Sequence, residues 1–164
     1  MPLFTEEHKI VMGICPSTAL ITEATTEAET DLVNLGKYGH CCWVISLGTM
    51  TGGSGFTMKM YESATSTGAG TARGFYYRKV AGVFGTTACD DMGTLTYSTS
   101  LTITSTEDNK YYVVEVDNKE LTDGYEFCSL GLAPTTGVSA IDGEILAIVG
   151  EPRYGGDIPA SAIS

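Results

Sequence analysis

The chain has 164 residues, 43% of them apolar and 18% charged, with a formal net charge of −11. That balance fits one globular domain with its own core and excludes a disordered chain. The acidity leaves no cationic footprint for reading nucleic acid and disfavours an anionic membrane surface, and no apolar stretch nears the ~20 residues of a spanning helix.

Gly, Ser and Thr are abundant while Leu, Lys and Arg are scarce, a balance that favours strands and turns. Residues 1–9 read as a loose arm. "KIVMGI" (Lys9 to Ile14) is a short apolar strand. The Thr-rich stretch from Thr22 to Gly36 reads as loop plus turn. "CCWVISLG" (Cys41 to Gly48) is a continuous apolar run and predicts a strand buried on both faces. "FTMKMYES" (Phe56 to Ser63) alternates, with Phe56, Met58 and Met60 on one side. Residues 64–74 read as loop. "FYYRKVAGVF" (Phe75 to Phe84) predicts a strand with a bulge at Gly82. "TLTYSTSLTIT" (Thr94 to Thr104) alternates but forms no single apolar face, because Thr99 interrupts it. "YYVVEVD" (Tyr111 to Asp117) is the strongest strand signal. "NKELTDG" makes a turn or one helical turn. "YEFCSLGL" (Tyr125 to Leu132) and "GEILAIVG" (Gly143 to Gly150) complete seven or eight strands separated by turns.

The five cysteines are Cys15, Cys41, Cys42, Cys89 and Cys128. Their number is odd, and adjacent Cys41 and Cys42 point to opposite faces of a strand. The opening "MPLFTEEHKI" is acidic and lacks the apolar region of a secretory leader. The thiols therefore read as reduced and mostly buried, in a protein made in a cytosol.

No stretch forms a catalytic or metal-binding pattern. "HCC" (His40 to Cys42) lacks the paired spacing of a zinc site. Cys89 beside Asp90 and Asp91 lacks an imidazole base, since the histidines are His8, in the arm, and His40, at a strand start. The glycine loops at Thr51 and Thr67 lack a phosphate-binding pattern. Asp108, Asn109, Asp117, Asn118 and Asp123 read as turn chemistry rather than a calcium site. The expectation is no enzyme, no cofactor and no metal. Among the nine tyrosines, Tyr76, Tyr77 and Tyr111 are candidates for an exposed sugar-binding platform, the alternative being cross-strand packing.

The ending "EPRYGGDIPASAIS" (Glu151 to Ser164) follows the apolar run "ILAIV" but continues neither strand nor helix. Its fourteen residues span at most roughly 45–50 Å when extended. Arg153 and Tyr154 are residue types that anchor interfaces, and Pro152 and Pro159 lower the entropy lost on docking. The tail either straps a neighbour or covers an edge strand of its own domain.

Four stretches carry a resemblance to structural proteins of tailed bacteriophages and prophages. "NLGKYGHCCWVISLG" (residues 34–48) resembles their lead into an apolar strand. "MYESATSTGAGT" (60–71) resembles a strand ending in a glycine loop. "VVEVDNKELTDGYEFCSLGL" (113–132) and the ending "EPRY…P-x-SAI" are similar as well. Residues 85–104 and the acidic segment near Thr22 add nothing to it. The resemblance implies a virion component of the head decoration (cement) or minor capsid type. Such a protein binds the assembled head and bridges neighbouring subunits of the major capsid protein, without enzymatic chemistry.

The residues and the resemblance together predict a mainly β, single-domain antiparallel sandwich or barrel (jelly-roll-like) with extended arms. The domain covers residues 10–150, the N-terminal arm 1–9 and the C-terminal arm 151–164. Phe4, Arg153, Tyr154, Ile158 and Ile163 are the expected arm contacts. The expected partners are the major capsid protein and further copies of the chain, a trimer being one such homo-oligomer, with no nucleic acid and no membrane. An acidic chain suits the outer capsid surface rather than a lining against packed DNA. A head–tail joining or tail component and a carbohydrate-binding sandwich are the alternatives.

Overall fold

A computed structural model describes residues 4–14, 20, 27–50, 55–67, 70–83, 85–135 and 141–152. A single helical turn, α1 (Phe4–Glu7), precedes the strands β1 (Lys9–Ile14), β2 (Ala28–Glu29), β3 (Val33–Asn34), β4 (Tyr38–Met50) and β5 (Gly55–Ser63). There follow β6 (Thr71–Arg73), β7 (Phe75–Lys79), β8 (Thr96–Ser98), β9 (Leu101–Thr104), β10 (Tyr111–Asp117), β11 (Phe127–Pro134) and β12 (Ile141–Pro152). Short 3-10 turns at Ser105–Glu107 and Asn118–Glu120 flank β10.

Two antiparallel sheets form a sandwich that does not close into a barrel. Sheet I has the order β1-β12-β4-β10-β7-β8. Sheet II has the order β2-β11-β5-β6, with β3 also on β11 and β9 on β5. β4 is the spine of sheet I, pairing with β12 on one side and β10 on the other.

The core lies between the sheets. Sheet I contributes Cys41, Trp43 and Ile45 of β4, Tyr112, Val114 and Val116 of β10, and Ile145, Ala147 and Val149 of β12. Sheet II answers with Phe56, Met58 and Met60 of β5 and Cys128, Leu130 and Leu132 of β11. Each set obeys the two-residue repeat of a strand, so every inward residue has an outward neighbour.

Several expectations change in the folded chain. "CCWVISLG" is buried on one face only: Cys41, Trp43, Ile45 and Leu47 are buried, while Cys42, Val44 and Ser46 are half-buried. The continuous apolar run reflects an apolar outer face, and among the described residues no second layer covers it. The stretch read as loop at 64–74 contains β6, which pairs with β5 from Met60 to Glu62. Residues 94–104 are two strands in different sheets. β8 pairs with β7, and β9 pairs with β5, so the chain crosses from one sheet to the other at Thr99 and Ser100. That crossing explains why the stretch showed no common apolar face. At Gly82 the chain has already left the sheet, and Val80 makes an isolated bridge to Met92.

The arm boundaries also shift. Phe4–Glu7 is helical and Lys9 already pairs with Val149, so the described part of residues 1–9 is docked structure. At the other end β12 runs past Gly150 to Pro152, which pairs with Tyr38.

Candidate functional site

The outward residues of sheet I line up in rows across the strands. One row runs Ile10, Ile148, Cys42, Glu115, Tyr76 and Tyr97. The next runs Met12, Leu146, Val44, Val113 and Arg78. An outer face of an antiparallel sandwich is ordinarily polar. Here the β1, β12 and β4 positions of both rows are all apolar, and Ile10 and Met12 are 55% and 50% exposed.

The outer face of sheet II is the contrast. Thr57, Lys59 and Tyr61 stand outward on β5, opposite the inward Phe56, Met58 and Met60. Thr57 and Thr102 share a hydroxyl hydrogen bond. The Tyr61 hydroxyl donates to Glu27 at 2.8 Å and Ser129 donates to Glu29 at 2.6 Å. Burial, with the acceptor Glu27 and the charges of Glu27 and Glu29 adding to it, pushes the Tyr61 hydroxyl up to about 12. Acidic side chains thus close sheet II with polar groups, while the β1, β12 and β4 part of sheet I stays apolar.

The amino-terminal turn extends the apolar face. Phe4 stacks on His8 with ring centroids 4.4 Å apart and planes within 4°. The His8 ring in turn covers Gly150, where a Cβ would come within 2.7 Å of it. Gly150 points outward from β12, two residues beyond Ile148, so α1 lies over one end of the same face. Phe4 is 51% exposed there. Beside it the His40 ring nitrogen donates to Asp117 at 2.8 Å, and Lys119 lies 3.1 Å from the other Asp117 oxygen. The His40 hydrogen bond and Lys119 hold the Asp117 carboxyl below its usual range.

At the far side of the sheet, Tyr76 and Tyr97 are exposed and meet at 5.2 Å. Tyr77 points the other way, packs against the core and approaches Tyr112. Tyr76, Tyr77 and Tyr111 therefore do not form one aromatic platform. A groove of about 330 Å³, mostly apolar, lies beside them, lined by Val44, Val80, Gly82, Cys89 and Tyr111 with Ser46 and Glu144.

Two further sequence candidates have structural partners. The Asp108 carboxylate accepts the Met50 amide at 2.8 Å, and Asn118 donates to the Leu35 carbonyl at 2.9 Å. Among the described residues no group of three or more His, Cys, Asp and Glu side chains gathers as a metal site. Cys41 and Cys128 are free and buried, and burial raises both thiols, which keeps them protonated and unreactive. Burial and the nearby Glu115 raise Cys42 to about 11. Cys15 lies outside the described residues, as do four of the five expected arm contacts: Arg153, Tyr154, Ile158 and Ile163.

Phe4 is the expected contact that the structure places on a surface. Ile10, Met12, Leu146 and Ile148 were not anticipated. Their signal is present in "KIVMGI" and "ILAIV", whose apolar residues fall on both faces of a strand.

No family model matches the chain, and no curated protein matches it. Among solved structures it is similar to the crystal structure of the SPBc2 prophage-derived protein YomS. The identity is 14% and the TM-score 0.47, over 87% of this chain and 92% of that one.

Proposed function

We propose that this chain is a tailed-phage virion component that decorates the assembled head. It lies against the outer capsid surface and bridges neighbouring subunits of the major capsid protein. The observation that carries this reading is the apolar outer face of sheet I, from Phe4, Ile10 and Met12 across Leu146, Ile148 and Val44. A contiguous apolar patch of this kind is the mark of a protein-binding surface. The sequence resemblance supplies the class of partner, and the net charge of −11 favours the outside of a DNA-filled shell.

The energetics are those of repeated weak contacts. A stable isolated interface needs about 800 Å² from each partner. A strap from the carboxyl-terminal segment adds to the area of the sheet face, and repetition over a symmetric lattice multiplies the effect. Electron microscopy of particles containing the chain is the decisive test, with density on the outer head surface expected. Density confined to the neck, the tail or the interior refutes the proposal.

A further inference from the structure

We propose that β1 is a self-association edge. Two copies pair antiparallel through it about a two-fold axis at Val11, and their two copies of sheet I become one continuous sheet. This rests on the isolated chain and is independent of the capsid reading.

β1 is an end strand of sheet I: one side pairs with β12, and among the described residues no strand pairs with the other. An open edge is a template for another strand, and proteins usually blunt it with charge, proline or a bulge. The middle of β1 has none of these. Lys9 stands at one end and the register shift between Met12 and Ile14 at the other, which limits pairing to Lys9–Gly13.

Within that window the strand is self-complementary. Val11 points inward and is buried, while Ile10 and Met12 point outward and are exposed. A two-fold axis at Val11 sets Ile10 opposite the partner's Met12, and Val11 opposite the partner's Val11. Lys9 then meets the partner's Gly13, whose missing side chain leaves the Ile145 and Thr30 side chains as its neighbours there. All outward residues stay on one face, because opposed residues in an antiparallel pair share a side. The apolar rows of the two copies join across the axis.

Charge also favours a second copy at this place. A chain of net charge −11 repels itself over most of its surface, yet "KIVMGI" carries one lysine and no acidic residue. A five-residue edge with two outward side chains buries less than the roughly 800 Å² per partner of a stable interface. The dimer therefore forms reversibly with concentration.

Sedimentation of the full chain over a concentration series tests this. The mass should move from the 17.3 kDa monomer to a dimer. The double substitution Ile10→Lys and Met12→Lys should weaken the dimer about tenfold or more, since it opposes like charges where apolar pairs stood. Tyr97→Lys, at the opposite edge, should leave it unchanged. A monomer at every concentration, a trimer or ring, or a dimer that the double substitution leaves intact overturns the proposal. If circular dichroism shows the double variant unfolded, amide exchange of the unaltered protein decides. Slower exchange over Lys9–Gly13 with rising concentration supports the edge, and no change overturns it.

Discussion

Glu62 shows how single residues hold this sandwich at its rim. It ends the inward-facing row of β5 and is only 5% exposed. Its carboxylate accepts the Thr122 amide at 2.9 Å and the Arg73 guanidinium at 3.0 Å, and the Thr122 hydroxyl binds the other oxygen. Burial alone would raise the carboxyl, but the hydrogen bonds from Thr122 and the charge of Arg73 outweigh it and hold it below its usual range. Glu62→Gln keeps the shape and loses the charge, and should cost about 1–3 kcal/mol at neutral pH. The unfolded chain takes up this proton first as the pH falls. The stabilisation is therefore complete above the ordinary carboxylate range and disappears as the pH drops through the lowered value. Thermal melts of parent and variant should converge in acid; a constant gap would count against this account. Gly150 is a second such point. Gly150→Ala would drive a methyl group into the His8 ring and lift α1 from sheet I. Faster amide exchange confined to residues 4–8 is the expected readout.

β4 makes the same point for whole elements. It is the longest strand, and its inward and outward residues have different work. Ile45 is fully buried between the sheets, so Ile45→Ala should cost about 2–4 kcal/mol through lost burial and the cavity left behind. Its neighbour Val44 points outward into the apolar row, and Val44→Thr should change stability by less than about 1 kcal/mol. Denaturant unfolding of the two variants checks the contrast. If both were equally costly, the outer face would be interior and not a surface. β10 repeats the pattern, and a clamp stands just before it: Lys79 of β7 and Lys110 reach the Glu107 carboxylate at 2.7 and 3.1 Å. Burial opposes ionisation of Glu107, but the two lysines prevail and hold its carboxyl low. Acid should weaken this corner of sheet I by the same logic as Glu62.

The molecule as a whole has two unlike sides. Sheet II is closed by Tyr61, Glu27, Ser129 and Glu29, and sheet I presents its apolar rows. The apolar part of sheet I lies over β1, β12 and β4, and the charged Glu115 and Arg78 stand farther along the same rows. Deleting Gly155 to Ser164 should release the protein from phage heads while its melting temperature stays within a few degrees of the parent. Normal occupancy after that truncation would remove the strap from the proposal and leave the sheet face as the whole contact.

The fold class was legible in the residues alone, because alternation in Phe56 to Ser63 and Tyr111 to Asp117 follows from strand geometry. Burial of Trp43 and the opposite facing of Cys41 and Cys42 were legible for the same reason. The short strands β2, β3 and β6 were not, since two or three residues carry no periodicity and form only against a partner. Nor was the split of residues 94–104 between sheets. The face left open was likewise a tertiary decision. An apolar run such as "ILAIV" records that both sides of a strand avoid polar groups, whereas only the packing of one sheet on the other determines which side is covered and which awaits a partner.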